Sequence, residues 1–288
     1  MPMLISSFFD HEDNYIKGYQ DTNTPVFYSP ENTARALGSL YLYKQIKERA
    51  PRKEAALPKI KKEATEIILK ALDNKQKALD EYEAKQLLAC YGVPVTKEAL
   101  AAKVEDALKT AKKIGYPVAL KACSWKIMHK SGKGLIALNV ENENQLKKEF
   151  KNIQKNAGKT APVLVQEMLS GSREFLAGMT RFAGFGPGVV FGLGGVFTEV
   201  FKDTTMRLAP VTSADALEMF EDINARKLLD KFRGLPKVKL SNLSRIIQAL
   251  GNIALLHPQI AEIDLNPIII NGAEPVVADA LIVLEDKS

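Results

Sequence analysis

The most informative stretch of the chain is Glu262-Ile263-Asp264-Leu265-Asn266-Pro267, with Asp279 in the apolar stretch that follows. Asp264 and Asn266 alternate with apolar residues, so a strand would turn both toward one face, which Asp279 can reach from a paired strand. Two carboxylates and an amide oxygen are hard donors suited to Mg²⁺, which is normally shared with a nucleotide phosphate. The pattern predicts a strand pair that holds a magnesium–nucleotide site. The alternative is a polar hairpin without a ligand.

A lysine ends the apolar run Pro117-Val118-Ala119-Leu120-Lys121. Burial of an ammonium group is costly without an anionic partner, and a nucleotide phosphate would be such a partner. Taken alone, the run favours a simpler interpretation, in which the charged end of Lys121 extends to solvent from the end of a strand.

Two glutamates flank a predicted turn between strands. Glu167 lies in the apolar run 163–168, and Glu174 begins the run 174–182. Two strands joined by a turn would hold the carboxylates at a fixed separation, where one meets the edge of a purine and the other accepts hydrogen bonds from ribose hydroxyls. In isolation, two solvent-facing glutamates explain the pattern better.

Glycines are dense between residues 184 and 195, at Gly184, Gly186, Gly188, Gly192, Gly194 and Gly195. Glycine allows main-chain N–H groups to approach phosphate oxygens closely. The spacing matches neither the Walker A motif nor the Rossmann fingerprint, and tight hairpin turns explain it equally well. Arg207, in a following apolar stretch, could add a phosphate contact from a neighbouring strand.

The composition is that of a soluble globular protein, with 288 residues, of which 46% are hydrophobic and 26% are charged. No apolar run approaches the roughly 20 residues of a membrane helix, no secretory signal is visible at the N-terminus, and two cysteines without metal-ligand spacing favour a reduced, cytoplasmic setting. The formal charge of +6 does not indicate nucleic-acid binding, because residues 44–63 hold eight basic residues against three acidic ones. This stretch is predicted to be a solvated linker, the alternative being an electrostatic docking segment.

The pattern of apolar residues divides the chain into three parts. Residues 1–49 are predicted to form β-α-β-α, which is too little for an independent core, and residues 50–78 a basic linker with a helix. Residues 79–288 are predicted to form an α+β domain. Its expected helices are 80–91, 104–114, 143–156, 213–220 and 240–257. Its expected strands are 117–122, 134–140, 163–168, 174–182, 188–192, 261–270 and 276–284.

Taken as a set, these motifs resemble the ATP-grasp domain of the ADP-forming acyl-CoA synthetases, to which succinyl-CoA synthetase is more distantly related. The resemblance covers about residues 79–285. It begins at Glu81-Tyr82-Glu83-Ala84-Lys85-Gln86-Leu87-Leu88 and Tyr91-Gly92-Val93-Pro94-Val95. It continues through 166–168, 185–187, 191–197 and 207–210, and ends with 264–267 and Asp279. The fold class implied is an ATP-grasp domain.

The resemblance implies a role for each candidate residue. Lys121, Gly194, Gly195 and Arg207 would contact nucleotide phosphates, Glu167 the adenine, and Glu174 the ribose. Asn266 and Asp279 would hold Mg²⁺, with Asp264 nearby. The implied cofactors are therefore ATP or ADP together with Mg²⁺.

The resemblance also gives a role to His129, in Ile127-Met128-His129-Lys130-Ser131. In this family the corresponding histidine is thought to receive a phosphoryl group from a phosphohistidine on the CoA-binding subunit and deliver it to ADP. A neutral imidazole is a competent nucleophile. The sequence departs from the family pattern at Gly132, where an aspartate is usual, which implies a more flexible loop and weaker positioning.

The first 49 residues resemble the last strand and helix of the family's flavodoxin-like CoA-ligase domain, through 24–31 and 34–37. The fragment is expected to complete a domain of a partner, a CoA-binding alpha-type subunit with the first phosphohistidine, in a hetero-oligomer. No nucleic-acid or membrane partner is expected.

The predicted activity is that of one subunit of an enzyme that catalyses acyl-CoA + ADP + Pi ⇌ acid + CoA + ATP. The alternative is a regulatory nucleotide-binding module without turnover, favoured slightly by Gly132 and opposed by His129, Asn266 and Asp279. The sequence leaves open the acyl group, the choice between ATP and GTP, and the stoichiometry.

Overall fold

The computed structural model describes residues 3–8, 14–48, 57–127, 134–158, 161–195, 203–231 and 233–285. The chain divides into two compact units, residues 1–53 and 54–288. The first unit contains β1 (Ile5–Ser6), α1 (Asn14–Asp21), β2 (Val26–Phe27) and α2 (Pro30–Glu48). β1 and β2 pair in parallel, which agrees with the predicted β-α-β-α order.

Helix α2 begins at Pro30, because proline suits the first helical position. The Ser29 hydroxyl accepts a hydrogen bond from the Asn32 N–H at 3.1 Å, which satisfies one of the helix's initial donors. Its apolar and aromatic side chains are exposed, at Leu37, Leu40, Tyr41, Leu42, Tyr43 and Ile46. The helix buries none of its residues within this unit.

The second unit contains most of the described helices and strands. The helices are α3 (Lys62–Asp73), α4 (Glu81–Cys90), α5 (Val104–Ile114), α6 (Glu143–Ala157), α7 (Ser213–Asp222) and α8 (Leu240–Leu256), with a 3-10 helix at Asn224–Leu229. The strands are β3 (Ala78–Leu79), β4 (Glu98–Ala101), β5 (Val118–Ala122), β6 (Ile136–Val140), β7 (Val163–Glu167), β8 (Glu174–Phe182), β9 (Gly186–Leu193), β10 (Thr204–Leu208), β11 (Ile260–Asn271), β12 (Glu274–Val277) and β13 (Ala280–Leu284).

The smaller sheet has the strand order β4-β7-β5-β6, with every neighbouring pair antiparallel. Helices α5 and α6 cover one of its faces, because apolar residues recur on one side of each helix. The buried residues of these helices pack against alternate side chains of the strands, those on the face toward the helices, and form one core cluster. This cluster includes Ala107, Ala111, Leu146, Phe150, Val118, Leu120, Val163 and Val165. The alternate strand residues form the inner face of this sheet.

The larger sheet has the order β10-β9-β8-β11-β13-β3, with β12 paired to β11. Its covered face packs against α3, α4, α7 and α8 in a second core cluster. Phe191 lies at the centre of this cluster, stacked on Phe175 at 5.5 Å and in edge contact with Phe220 at 4.8 Å between ring centroids. The other face of the sheet is more open and carries the exposed residues of β11.

Most predicted elements of the second unit are confirmed within two residues at each end. The predicted strand 276–284 is wrong as one element, because the chain leaves the sheet at Ala278 and Asp279, between β12 and β13. The short strands β3 and β4 were not predicted. Helix α3 lies in the segment predicted as linker and helix, and it buries Ala64, Ile68 and Ala71 in the core of the second unit.

Candidate functional site

The site is built on Lys121, in β5 on the inner face of the smaller sheet. Its side chain is 7% exposed, so the interpretation that it extends to solvent is wrong. The ammonium donates hydrogen bonds to Glu81 Oε1 at 2.6 Å and to the Ala278 carbonyl oxygen at 3.0 Å. The nearest carboxylate oxygen of Asp279 is 3.8 Å away. Lys121 therefore joins the smaller sheet to the strand junction of the larger one.

A second buried lysine adjoins this group. Lys85, on α4, donates to Glu81 Oε1 at 2.9 Å, Glu98 Oε2 at 2.8 Å and Thr96 Oγ1 at 3.1 Å. Burial raises the pKa of the Glu98 carboxyl, and the Lys85 charge offsets part of that rise. A buried charge is tolerated when it is paired and hydrogen-bonded. One signal of this cluster is visible in the sequence, namely an acidic and a basic residue four apart at Glu81 and Lys85.

Asn266 and Asp279 lie at the break between two ladders of the larger sheet. β11 pairs with β13 up to Leu265↔Ala280 and with β12 from Ile268↔Val277, and both pairings keep one register. The residues between these pairs, which include Asn266 and Asp279, belong to neither ladder. The role of both residues as metal ligands stays a prediction.

Asp264 lies two residues before Asn266 on the same open face of β11, and it is exposed. Desolvation raises the pKa of its carboxyl, and the neighbouring carboxylates of Glu262 and Asp279 raise it further. Its partner on β8 is Gly178, which carries no side chain, so the face beside Asp264 is open.

The two predicted nucleotide glutamates flank the segment 168–173, which leads from the smaller sheet to the larger one. Glu167 ends β7, and its Oε1 accepts a hydrogen bond from the Lys97 N–H at 2.8 Å. Glu174 begins β8, and its carbonyl oxygen accepts a hydrogen bond from the Gly194 N–H at 3.0 Å. A Cβ at Gly194 would lie 2.6 Å from the Phe175 backbone, so this close approach requires glycine.

Gly195 lies beside Glu174. Its φ is +76°, and a Cβ there would lie 2.7 Å from Glu174 Oε2. The structure thus brings Glu174, Gly194 and Gly195 together at one end of β8 and β9. Lys121, Asp279, Asn266 and Asp264 form a second group at the β11–β13 junction.

Arg207 belongs to neither group. Its register with Val189, Met179 and Ile263 places it on the covered face of the larger sheet, opposite to Asp264. The guanidinium donates to Asp222 Oδ2, on α7, at 2.6 Å. This ion pair holds the Arg207 side chain on the covered face, away from the other predicted site residues.

His129 lies outside the described residues, which stop at Ile127 and resume at Gly134. The strands before and after this segment, β5 and β6, pair at Lys121. β5 ends one residue after Lys121, and β6 begins at Ile136, its partner in the ladder.

No helix in the described ranges has the length and apolar character needed to cross a bilayer. Those ranges also contain no cluster of three or more His, Cys, Asp or Glu residues with metal-site geometry. The predicted magnesium donors comprise only two carboxylates and one amide.

Comparison with known proteins agrees with this arrangement. A family model described as an ATP-grasp domain matches residues 70–284. The acetate–CoA ligase (ADP-forming) I subunit beta of Pyrococcus furiosus is 40% identical, over a match that covers 77% of this chain and 97% of the relative. The chain belongs to the ADP-forming acyl-CoA ligases. It is a nucleotide-binding, ATP-grasp subunit of such an acid–thiol ligase, and the predicted fold class is confirmed.

Two further matches are a relative that is longer than this chain and a solved structure. Acetate–CoA ligase (ADP-forming) I of Archaeoglobus fulgidus is 34% identical, over 93% of this chain and 40% of the relative. A solved structure of dinucleotide-forming acetyl-coenzyme A synthetase 1 from Ca. Korarchaeum cryptofilum is 37% identical with a TM-score of 0.69, and covers 77% of this chain and 100% of that chain. That structure contains coenzyme A and Mg-AMPPCP, with a phosphohistidine segment that points towards the nucleotide binding site.

Proposed function

We propose that the chain binds a magnesium nucleotide between the inner face of the smaller sheet and the open face of the larger one. There it passes a phosphoryl group between phosphohistidine and ADP, within the reaction acyl-CoA + ADP + Pi ⇌ acid + CoA + ATP. The observation that carries the proposal is the 3.8 Å approach of the Lys121 ammonium to the Asp279 carboxylate. One cation and the predicted metal ligands come together from two different sheets.

In this proposal the adenosine lies along the segment between the sheets. Glu167 binds the adenine edge and Glu174 the ribose hydroxyls, and the position of both residues at the ends of this segment supports these roles. The N–H groups near Gly194 and Gly195 and the Lys121 ammonium bind phosphate oxygens. Phosphoryl transfer depends mainly on such positioning and charge neutralisation. The covered position of Arg207 gives no support for a phosphate contact.

The residues at the β11–β13 junction fit Mg²⁺. Asp279 and Asn266 lie at the break between the β11–β13 and β11–β12 ladders, and burial together with the nearby carboxylates of Glu262 and Asp279 raises the pKa of Asp264. Oxygen donors in this number suit a cation that keeps several waters and shares a nucleotide phosphate. When bound, Mg²⁺ would neutralise charge on the phosphate oxygens. Asn266, Asp279 and Asp264 would hold it there.

His129 is proposed as the residue that carries the phosphoryl group. The support is that the strands on either side of its segment, β5 and β6, pair at Lys121. A neutral imidazole nitrogen attacks the incoming phosphohistidine phosphorus, and the bond to the donor nitrogen breaks. Attack by an ADP oxygen then returns the imidazole to its free form. Lys121 stabilises charge on the transferring group in both steps.

The first unit is proposed to complete a CoA-binding, alpha-type subunit that carries the first phosphohistidine. Its two-stranded parallel sheet and exposed α2 leave apolar surface that lacks cover within the unit. The A. fulgidus match leaves only about 20 residues of this chain outside, so it includes part of residues 1–53. A hetero-oligomer follows from this proposal. A cytoplasmic setting is supported by Cys90 and Cys123, which do not form a disulfide with each other.

Calorimetry with Mg-ADP tests the metal site. Asp279→Ala should weaken Mg-ADP binding at least about tenfold, because it removes a charged metal ligand. The matched control is Asp222→Ala, which removes an exposed carboxylate from the covered side of the same sheet. Thermal melting verifies that both variants fold. Equal Mg-ADP affinity in Asp279→Ala and wild type would contradict the proposed metal site.

A further inference from the structure

The buried carboxylate of Glu81 holds two lysines at once. Its Oε1 accepts hydrogen bonds from Lys121 at 2.6 Å and from Lys85 at 2.9 Å, and the Glu81 side chain is 1% exposed. Hydrogen bonds between ionised groups are about twice as strong as neutral ones. The contact between Glu81 and Lys121 is therefore a strong restraint on where the Lys121 ammonium can point.

Glu81 is itself held rigidly. It occupies the first position of α4, directly after Asp80, whose carboxylate accepts a hydrogen bond from the Glu83 N–H at 2.9 Å. The Glu83 carboxylate accepts in return from the Asp80 N–H, which completes a capping box. Ala84, Leu87 and Leu88 then anchor the helix in the core of the larger sheet. The carboxylate thus reaches the smaller sheet from a fixed helix.

The hydrogen bonds of Lys121 leave one direction open. A lysine ammonium has three donors. One is directed to Glu81 and one to the Ala278 carbonyl oxygen, at 2.6 and 3.0 Å. Among the described residues, the next acidic group is Asp279 at 3.8 Å, too far for a hydrogen bond. Asp279 is thus the nearest further group toward which the third donor can be directed.

We propose that Glu81 is a positioning residue for nucleotide binding, which directs the third N–H of Lys121 toward the phosphates. The inference rests on the proposed role of Lys121 as a phosphate ligand. Lys85 offsets one of the two carboxylate charges of Glu81 and Glu98, and Lys121 offsets the other, so the four groups together are neutral. Glu81 touches no substrate in this arrangement, and it acts through Lys121 alone.

The test compares two buried carboxylates of the same cluster. Glu81→Gln and Glu98→Gln each remove one charge next to Lys85, but only Glu81 contacts Lys121. The full chain is titrated with Mg-ADP and, separately, with adenosine, which has no phosphate. Glu81→Gln should weaken Mg-ADP binding about tenfold, because the ion pair that fixes the Lys121 ammonium is replaced by a weaker hydrogen bond to a neutral amide. Adenosine binding should stay within about twofold of wild type.

Glu98→Gln should leave the ratio of the two affinities at the wild-type value. The inference is overturned if Glu81→Gln binds Mg-ADP like wild type, if it weakens both ligands equally, or if Glu98→Gln gives the same selective loss. If Glu81→Gln does not fold, Glu81→Asp and Glu98→Asp give the same comparison, since each keeps its charge and shortens its reach. Lys121→Met distinguishes the positioning role of Glu81 from the phosphate role of Lys121. Wild-type Mg-ADP affinity in this variant would refute the phosphate role of Lys121 itself.

Discussion

Replacement of Arg173 by methionine should destabilise the second unit strongly. Arg173 is 4% exposed, and its guanidinium donates to the carbonyl oxygens of Leu228 at 3.1 Å, Asp230 at 3.3 Å and Gly272 at 2.9 Å. These bonds tie the 3-10 helix and the β11–β12 turn to the residue that precedes Glu174. Burial lowers the pKa of the guanidinium, which reflects the cost of removing it from water.

The expected loss follows from these contacts. Each hydrogen bond from a charged donor contributes about 1.5–3 kcal/mol, and removal of the guanidinium recovers part of its desolvation cost, which is several kcal/mol. We expect a net loss of about 3 kcal/mol. With a urea m-value of about 3 kcal/mol/M, the midpoint should fall by about 1 M.

Urea unfolding followed by the fluorescence of Trp125 measures this loss, because the only tryptophan lies in the second unit. Arg226→Met is the matched control. The Arg226 side chain is 57% exposed in a surface ion pair with Glu221, so it should cost less than about 0.5 kcal/mol. A midpoint of Arg173→Met within the error of the wild-type value would refute the reasoning.

Two further predictions concern single ionisable groups. Asp264→Asn should stabilise the metal-free chain by at most about 1 kcal/mol, since it removes repulsion from Glu262 and Asp279 at an exposed position. The same change should weaken Mg-ADP binding. Urea unfolding measures the stability and calorimetry the affinity, and a variant that is less stable with unchanged affinity contradicts the account. Burial lowers the pKa of His257, so protonation of its imidazole is less favourable in the folded state than in the unfolded state. Its unfolded pKa is about 6.5, so stability present above that pH is lost as pH falls toward the lower folded value. The urea concentration at the unfolding midpoint should decrease as the pH is lowered from about 7.5 to about 5.5. The decrease should be smaller in His257→Gln, and an equal decrease in both proteins would exclude His257 as the cause.

The elements that sequence predicted well are those with a full local pattern. Residues 104–114 have helical apolar spacing and a terminal glycine, and the helix has those bounds. β3 has two residues and β4 four, which is too short for an alternation pattern to emerge. The break at Ala278 and Asp279 was also missed, because apolar residues continue on both sides of it.

Site residues on one strand pair were predictable, whereas those held by tertiary contacts were not. Alternation along β11 predicted that Asp264 and Asn266 lie on one face, and both residues are exposed. The environment of Lys121 depends on Glu81, which is 40 residues away in the chain. The position of Arg207 depends on the register of β10 and on the carboxylate of Asp222. Neither pairing leaves a local signal in the sequence.

Label transfer from phosphate to ADP tests the central proposal most directly. The chain is mixed with its CoA-binding partner, acyl-CoA and radiolabelled phosphate, without nucleotide. We predict an acid-labile, base-stable label on this chain that disappears when Mg-ADP is added, with labelled ATP as the product. His129→Ala should abolish the label on this chain and leave that on the partner. ATP formation by His129→Ala at the wild-type rate would contradict the proposed relay.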